Sequence, residues 1–449
     1  MRLENMTGFA AGLVALTATA TAADLSAPEA APEPAEALWN WHTQATVVGQ
    51  GNSHFTAPYE GQRSLPDVNE VRETVSFDLT GGTRLWRGAE LFGDVLVWQG
   101  FGLGNAVGLE AFPNGEAFKV GTKTPNVTMA RLFLRQSFDL GGEQEKVEDD
   151  TFELAGKRDV SRITFTVGKL SAKDIFDNNA YANDSRTQFL DWSLMANNAW
   201  DFPADSLGYM TGATAELNQR RWALRYGFFQ TPRRSNGMAL DPAFLRAWGM
   251  VTEFEWRYAL GERPGSVRVL GFLNRAHMGS YGAAVASAGS TGVYPADATV
   301  TNGDYRYKFG TGLSWDQALT KNLGMFGRLG WSDGHTEAWH FNDVDETATA
   351  GISLRGEGWG RPDDTFALGG GVNGISKVHQ DYLAAGGIGI LAGDGALNYG
   401  WEQFFETYYD CALTHWLHTS AHYEFVANPA FNRDRGPVHV FGLRAHLKF

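Results

Sequence analysis

Residues 436–449, GPVHVFGLRAHLKF, split into two rows when taken in steps of two. Phe441, Leu443, Ala445, Leu447 and Phe449 are apolar, whereas Val440, Gly442, Arg444, His446 and Lys448 turn polar toward the end. Alternate side chains of a strand stand on opposite faces, so this segment reads as a strand with one oily and one polar side. A closed wall of such strands suits a lipid bilayer, with hydrocarbon outside and water inside. The same alternation recurs upstream. Tyr305, Tyr307, Phe309, Leu313 and Trp315 alternate with Arg306, Lys308, Gly310, Gly312, Ser314 and Asp316. Trp222, Leu224, Tyr226 and Phe228 alternate with Arg221, Ala223, Arg225 and Gly227, and Leu417, Ala421, Tyr423 and Phe425 with His418, Ser420, His422 and Glu424.

The expected strands are 40–50, 72–84, 90–100, 126–140, 160–170, 207–217, 220–230 and 249–261 in the first half. The second half supplies 264–274, 304–316, 322–332, 343–355, 364–374, 400–411, 415–427 and 436–449. That makes about sixteen, an even number as in bacterial single-chain barrels. Segments 90–100 and 264–274 do not declare which face is oily. Connections alternate in length: Leu85–Ala89, Asn218-Gln219, Glu262-Arg263, Gln317–Lys321 and Ala412–Thr414 are short, and 101–125, 171–206, 231–248, 275–303 and 375–399 are long. Short periplasmic turns and long external loops produce this rhythm, placing both termini in the periplasm. The charged stretch 141–159 is a long connection on the short side and breaks it.

The N-terminus carries the marks of an export signal. Arg2 starts a short basic region, Gly8–Leu16 is apolar, and Ala20-Thr21-Ala22 is a small-x-small cleavage site. We therefore expect a signal peptide at 1–22, a Pro/Ala/Glu-rich linker at 23–37 that cannot bury a core, and an outer-membrane barrel at 38–449. Mean hydropathy of -0.27 excludes a bundle of membrane helices but not a barrel, in which only alternate residues meet lipid. Cys411 is the single cysteine, so the chain has no internal disulfide. A net charge of -14 without a basic, aromatic-studded patch argues against nucleic acid. A β-sandwich or propeller would alternate too. Aromatics near strand ends, the export signal and the terminal Phe449 favour the membrane.

One block is more specific. Arg162–Lys169 (RITFTVGK) is a strand ending in Gly-Lys, followed by Asp174-Ile-Phe-Asp177, Phe189-Leu-Asp-Trp192, Asn197-Asn198-Ala199-Trp200-Asp201 and Pro203. In this block the sequence resembles the carbohydrate-selective porins of the OprB family, with pattern-level similarity over about 40–449. The resemblance implies an outer-membrane barrel that passes sugars by facilitated diffusion, glucose-type monosaccharides foremost.

The stretch 171–206 is the third external connection, the one that in porins folds inward to narrow the pore. Its Asp174, Asp177, Asn178, Trp192, Asn197 and Trp200 offer carboxylates, amides and flat rings suited to sugar hydroxyls and C–H faces. Opposite them, parity turns Arg131, Arg135, Arg162, Arg225 and Arg328 inward, because a charge cannot face lipid cheaply. A guanidinium fork can hold two hydroxyls, so these arginines are eyelet candidates, with Arg131, Arg225 and Arg328 expected to line solvent. The competing reading pairs them with inward acids such as Asp94, Glu253, Glu255, Glu402, Glu406 and Glu424.

Catalytic and metal motifs are thin. His418 and His422 share a face but stand about 13 Å apart by strand rise, too far for one metal. No catalytic residue, metal or cofactor is implied. The expected partners are outer-membrane lipid and a monosaccharide or small oligosaccharide, with a homo-oligomer open. Two other readings survive at this point: a general or anion-selective porin without a sugar site, and an exported carbohydrate-binding β-protein without a pore.

Overall fold

The structure, a computed structural model, describes residues 36–449, so the signal peptide and all but the end of the linker lie outside the described residues. The first strands are β1 (Trp39–Asn52), β2 (Glu70–Trp86), β3 (Ala89–Gly100), β4 (Thr122–Asp139), β5 (Gln144–Val147) and β6 (Gly156–Asp159). Next come β7 (Arg162–Leu170), β8 (Met210–Asn218), β9 (Trp222–Gln230), β10 (Trp248–Leu260), β11 (Arg263–Ala276) and β12 (Arg306–Ala318). The last are β13 (Leu323–Ser332), β14 (Glu346–Arg355), β15 (Thr365–Gly374), β16 (Glu402–Ala412), β17 (Leu417–Ala427) and β18 (Val438–Lys448). Among the described residues, β5 and β6 pair only with each other, and the other sixteen form a closed antiparallel barrel. Closure comes from β1, whose Gly49 sits opposite Glu73 of β2 on one side and Leu443 of β18 on the other. A wall without edges satisfies its own backbone, which is the condition for crossing hydrocarbon.

Each of the sixteen expected strands has one counterpart, with ends shifted by a few residues. Outward positions carry the oily row: Val75, Phe77 and Leu79 on β2, Phe254 and Trp256 on β10, Phe441 and Leu443 on β18 are all exposed. Trp39, Trp41, Trp86 and Trp256 are exposed near the short-turn end, as interfacial rings require.

The inner face departs from the simple rule of a polar lumen. Phe92, Phe229, Phe272, Phe326 and Phe404 point inward and are buried. They pack against Leu65, Phe112, Phe176, Phe189 and Trp200, which come from the long connections. The core of this protein therefore lies inside the barrel, between wall and loops. That explains the two undeclared segments. In β3 Phe92, Leu96 and Trp98 face the loop core while Leu91, Val95 and Val97 alternate with them, and in β11 Leu270 and Phe272 do the same. Strands oily on both sides have no visible period of two.

Candidate functional site

Six strands of the wall are tied together by the segment between β7 and β8. Asp174 accepts from the Ser171 backbone N–H at 3.0 Å and takes both Nε and Nη2 of Arg131 on β4, at 2.8 and 2.7 Å. Asp177, at φ 54°, accepts from Arg328 Nε of β13 at 2.9 Å, and its own N–H donates to Glu253 of β10 at 2.7 Å. Asn179 donates to the Trp315 carbonyl of β12 at 3.0 Å. Arg444 of β18 donates to the Ser185 and Gln188 carbonyls at 2.7 and 2.6 Å. Leu190 and Asp191 donate their N–H groups to Glu406 of β16, both at 2.9 Å. A segment that reaches inward residues on opposite sectors of one wall runs across the lumen.

Burial would raise the Asp177 carboxyl, but Arg328 and Lys173 overcome it and hold the group below the ordinary carboxylate value. Burial draws the neighbouring Lys173 ammonium down to about 8, against the pull of Asp177. Backbone geometry helps here, since the left-handed turn at Asp177 is one that aspartate tolerates.

Beneath this segment, toward the short-turn end, lies a polar chamber of about 270 Å³. Asp174, Ile175 and Asn178 form its roof, and Arg135, Arg162, Thr164, Thr166, Thr214, Glu216, Arg225 and Arg257 its walls. Glu153 and Arg158, from the connection that carries β5 and β6, close the side opposite. Guanidinium, hydroxyl, amide and carboxylate groups here offer both donors and acceptors at close quarters, which is what a polyol leaving water needs.

Of the expected site residues, the structure gathers Arg135, Arg162, Arg225, Asp174 and Asn178 on this chamber. Arg131 stands beside it on Asp174, with a second ion pair to Asp94 at 2.7 Å. The arginines are paired, as the competing reading held: Arg225 binds Glu216, Glu253 and Glu255 at 2.6–2.8 Å, and Arg135 binds Glu90 at 2.9 Å. Arg162 binds Glu145 at 2.9 Å. Arg328 does not line solvent. It is fully buried, and its nitrogens go to Asp177 and to the carbonyls of Leu194 and Ala182.

Asp177, Trp192, Asn197 and Trp200 are likewise buried. Trp192 packs on Phe112 and Phe341 at ring distances of 5.1 and 4.5 Å, with its indole N–H on the Asn114 carbonyl. Trp200 meets Phe176 and Phe202 at 6.2 and 5.4 Å. Asn197 donates to the Leu329 carbonyl at 3.1 Å. A ring or amide already covered by protein has no face left for a sugar, so these residues hold the loop in this structure.

Sequence reasoning missed Arg158 and Glu153, since a connection has no strand parity to read. It also missed Arg268, which β11 points inward onto Glu255 and Asp316 at 3.0 and 2.5 Å. The signal was there in the arginine's alternation with Val267 and Val269, but the inward Leu270 and Phe272 hid it.

A family model described as carbohydrate-selective porin, OprB family, matches residues 62–449. Among solved structures, OprB of Pseudomonas putida superimposes with a TM-score of 0.68 at 15% identity, covering 92% of this chain and 94% of that one. The outer membrane channel DcaP of Acinetobacter baumannii gives 0.49 at 9% identity, covering 95% and 100%. OccK2 of Pseudomonas aeruginosa gives 0.43 at 11% identity, covering 92% and 97%. No curated protein sequence matches the chain.

Proposed function

The chain belongs to the OprB family of carbohydrate-selective porins, a passive sugar channel of the bacterial outer membrane, and from that premise we propose that it admits single hexose-sized sugars through the arginine-walled chamber. The supporting observation is the chamber itself: small, polar apart from Ile175, and roofed by the 171–206 segment that narrows the passage. Pockets for drug-sized ligands run to about 300–1,000 Å³, so a volume of about 270 Å³ suits one small ring. Hydroxyls leaving water are met by Asn178, by threonine hydroxyls and by guanidinium edges turned toward the chamber. The binding is weak by design of the arginines, each already shared with a carboxylate, and weak binding is what lets a channel release its cargo. No cofactor or energy source enters. Residues 1–22 serve as the cleaved export signal of this reading.

Single-channel conductance in a planar bilayer, with glucose titrated on both sides, tests it. Sugar-dependent block along a saturating curve is expected, and Arg225→Lys, which keeps the charge but loses the fork, should weaken that block about tenfold, the equivalent of one charged hydrogen bond. Open channels indifferent to glucose would remove the sugar site and leave a general channel. Protein that stays soluble without detergent would overturn the reading altogether.

A further inference from the structure

Short-turn connections of such barrels have no need of length, yet the one between β4 and β7 runs from Leu140 to Ser161 and builds its own two-stranded sheet. Its ends are already closed without that sheet. Leu140 N–H donates to the Ser161 carbonyl at 3.0 Å, and Gly141 and Gly142 both hold positive φ. Those two glycines suffice for a tight hairpin turn. The eighteen residues after them, 143–160, are therefore extra to the wall.

They do not hang in solvent. Phe152 reaches the inner face of β3 and β4, with ring centroids 6.1 Å from Phe92 and 5.8 Å from Phe133, and the Arg131 guanidinium lies 5.0 Å over its ring. Leu154 is buried in the same cluster. From the wall, Asn40 Nδ2 lies within 3.0 Å of Asp149 Oδ1 and of the Asp150 and Glu153 carbonyls, and Arg135 donates to the Phe152 carbonyl at 2.6 Å. Glu145 joins Arg158 and Arg162, both at 2.9 Å. The insertion thus covers the β1–β4 sector of the lumen at the short-turn end, and its Glu153 and Arg158 bound the chamber from the side facing β7–β10.

We propose that residues 143–160 form a second constriction at the periplasmic exit, a specificity-determining element that excludes solutes larger than one sugar ring independently of the external loop. A solute leaving the chamber passes between Glu153 and Arg158 on the insertion and Glu216 and Arg257 on the wall. Phe152 acts as the wedge that seats the insertion, and Asn40 as its latch. The cargo named here rests on the sugar-channel reading, while the constriction itself is a statement about conductance and size.

The test uses the full chain with 143–160 deleted, so that Gly141-Gly142 turns directly into Ser161, and in parallel the double substitution Asn40→Ala, Phe152→Ala. Heat-modifiable migration in gels establishes that each barrel is folded. Single-channel conductance should at least double in the deletion and rise in the double variant, and liposomes carrying either should admit disaccharides that the parent channel excludes. Unchanged conductance and unchanged disaccharide exclusion in a folded variant would overturn the proposal. Raised conductance in channels that glucose never blocks would sustain the exit constriction while removing the sugar site. Glucose block with no conductance change on deletion would do the reverse.

Discussion

Arg328 stands on the wall where alternation requires it to point inward, and there it meets protein in place of water. Its fork joins Asp177 to the carbonyls of Leu194 and Ala182, so one side chain pins three points of the lumen segment. Arg328→Lys keeps the charge and leaves buried carbonyls unpaired, a loss of about 1–3 kcal/mol. We expect noisier open-channel current and a lower urea midpoint, with the barrel intact. The pH response of this anchor has a defined sign. Asp177 is held below its ordinary value in the folded state, so its contribution is complete above that value and is lost as pH falls through the lowered one. The difference in conductance between this protein and Asp177→Asn should therefore stay level from pH 7 downward and begin to shrink only below 3.8, the ordinary aspartate value. Asp177→Asn should already show the altered conductance at pH 7, and an identical pH profile in both proteins would remove Asp177 from this role.

At the level of the element, strand β16 shows how the inner wall carries the loops. Glu402 and Glu406 are inward, buried and two periods of alternation apart, with Phe404 between them. Glu402 accepts from the N–H groups of Ala111 at 2.6 Å and Ala430 at 2.8 Å, Glu406 from those of Leu190 and Asp191. The carboxyl oxygens here accept from loop amides that no sheet could reach. Glu406→Gln removes one acceptor oxygen, and a loss of about 1–3 kcal/mol concentrated in the 171–206 segment is expected. Faster hydrogen exchange at Leu190 and Asp191 than in the strands would register it. The outer face obeys a different rule. Val269 of β11 is exposed between inward Arg268 and Leu270, so it faces lipid. Val269→Arg should cost about 2–4 kcal/mol in reversible unfolding from lipid, the range for a charge near the bilayer midplane. A negligible cost would place this strand out of hydrocarbon.

For the molecule as a whole, the division of labour is between a closed wall and a filled interior. Wall hydrogen bonds run from β1 round to β18 and need nothing from the loops, whereas the loops need the wall's inward carboxylates, arginines and phenylalanines. The sequence by itself determined the wall. Lipid outside imposes a period of two on every strand, a local constraint that each short segment must satisfy alone, so sixteen strands, their order and the inward direction of Arg131, Arg135, Arg162, Arg225 and Arg328 were all legible. It also marked 141–159 as an irregular connection without saying where that connection goes. Only the tertiary structure decided which inward side chains meet water. Arg225 reaches the chamber and Arg328 does not; Trp192 and Trp200 are loop core; Arg158 and Glu153 are chamber residues. The reason is that burial inside a barrel depends on contacts between residues far apart in the chain, such as Arg328 with Asp177 or Phe152 with Phe92. No local period encodes those contacts.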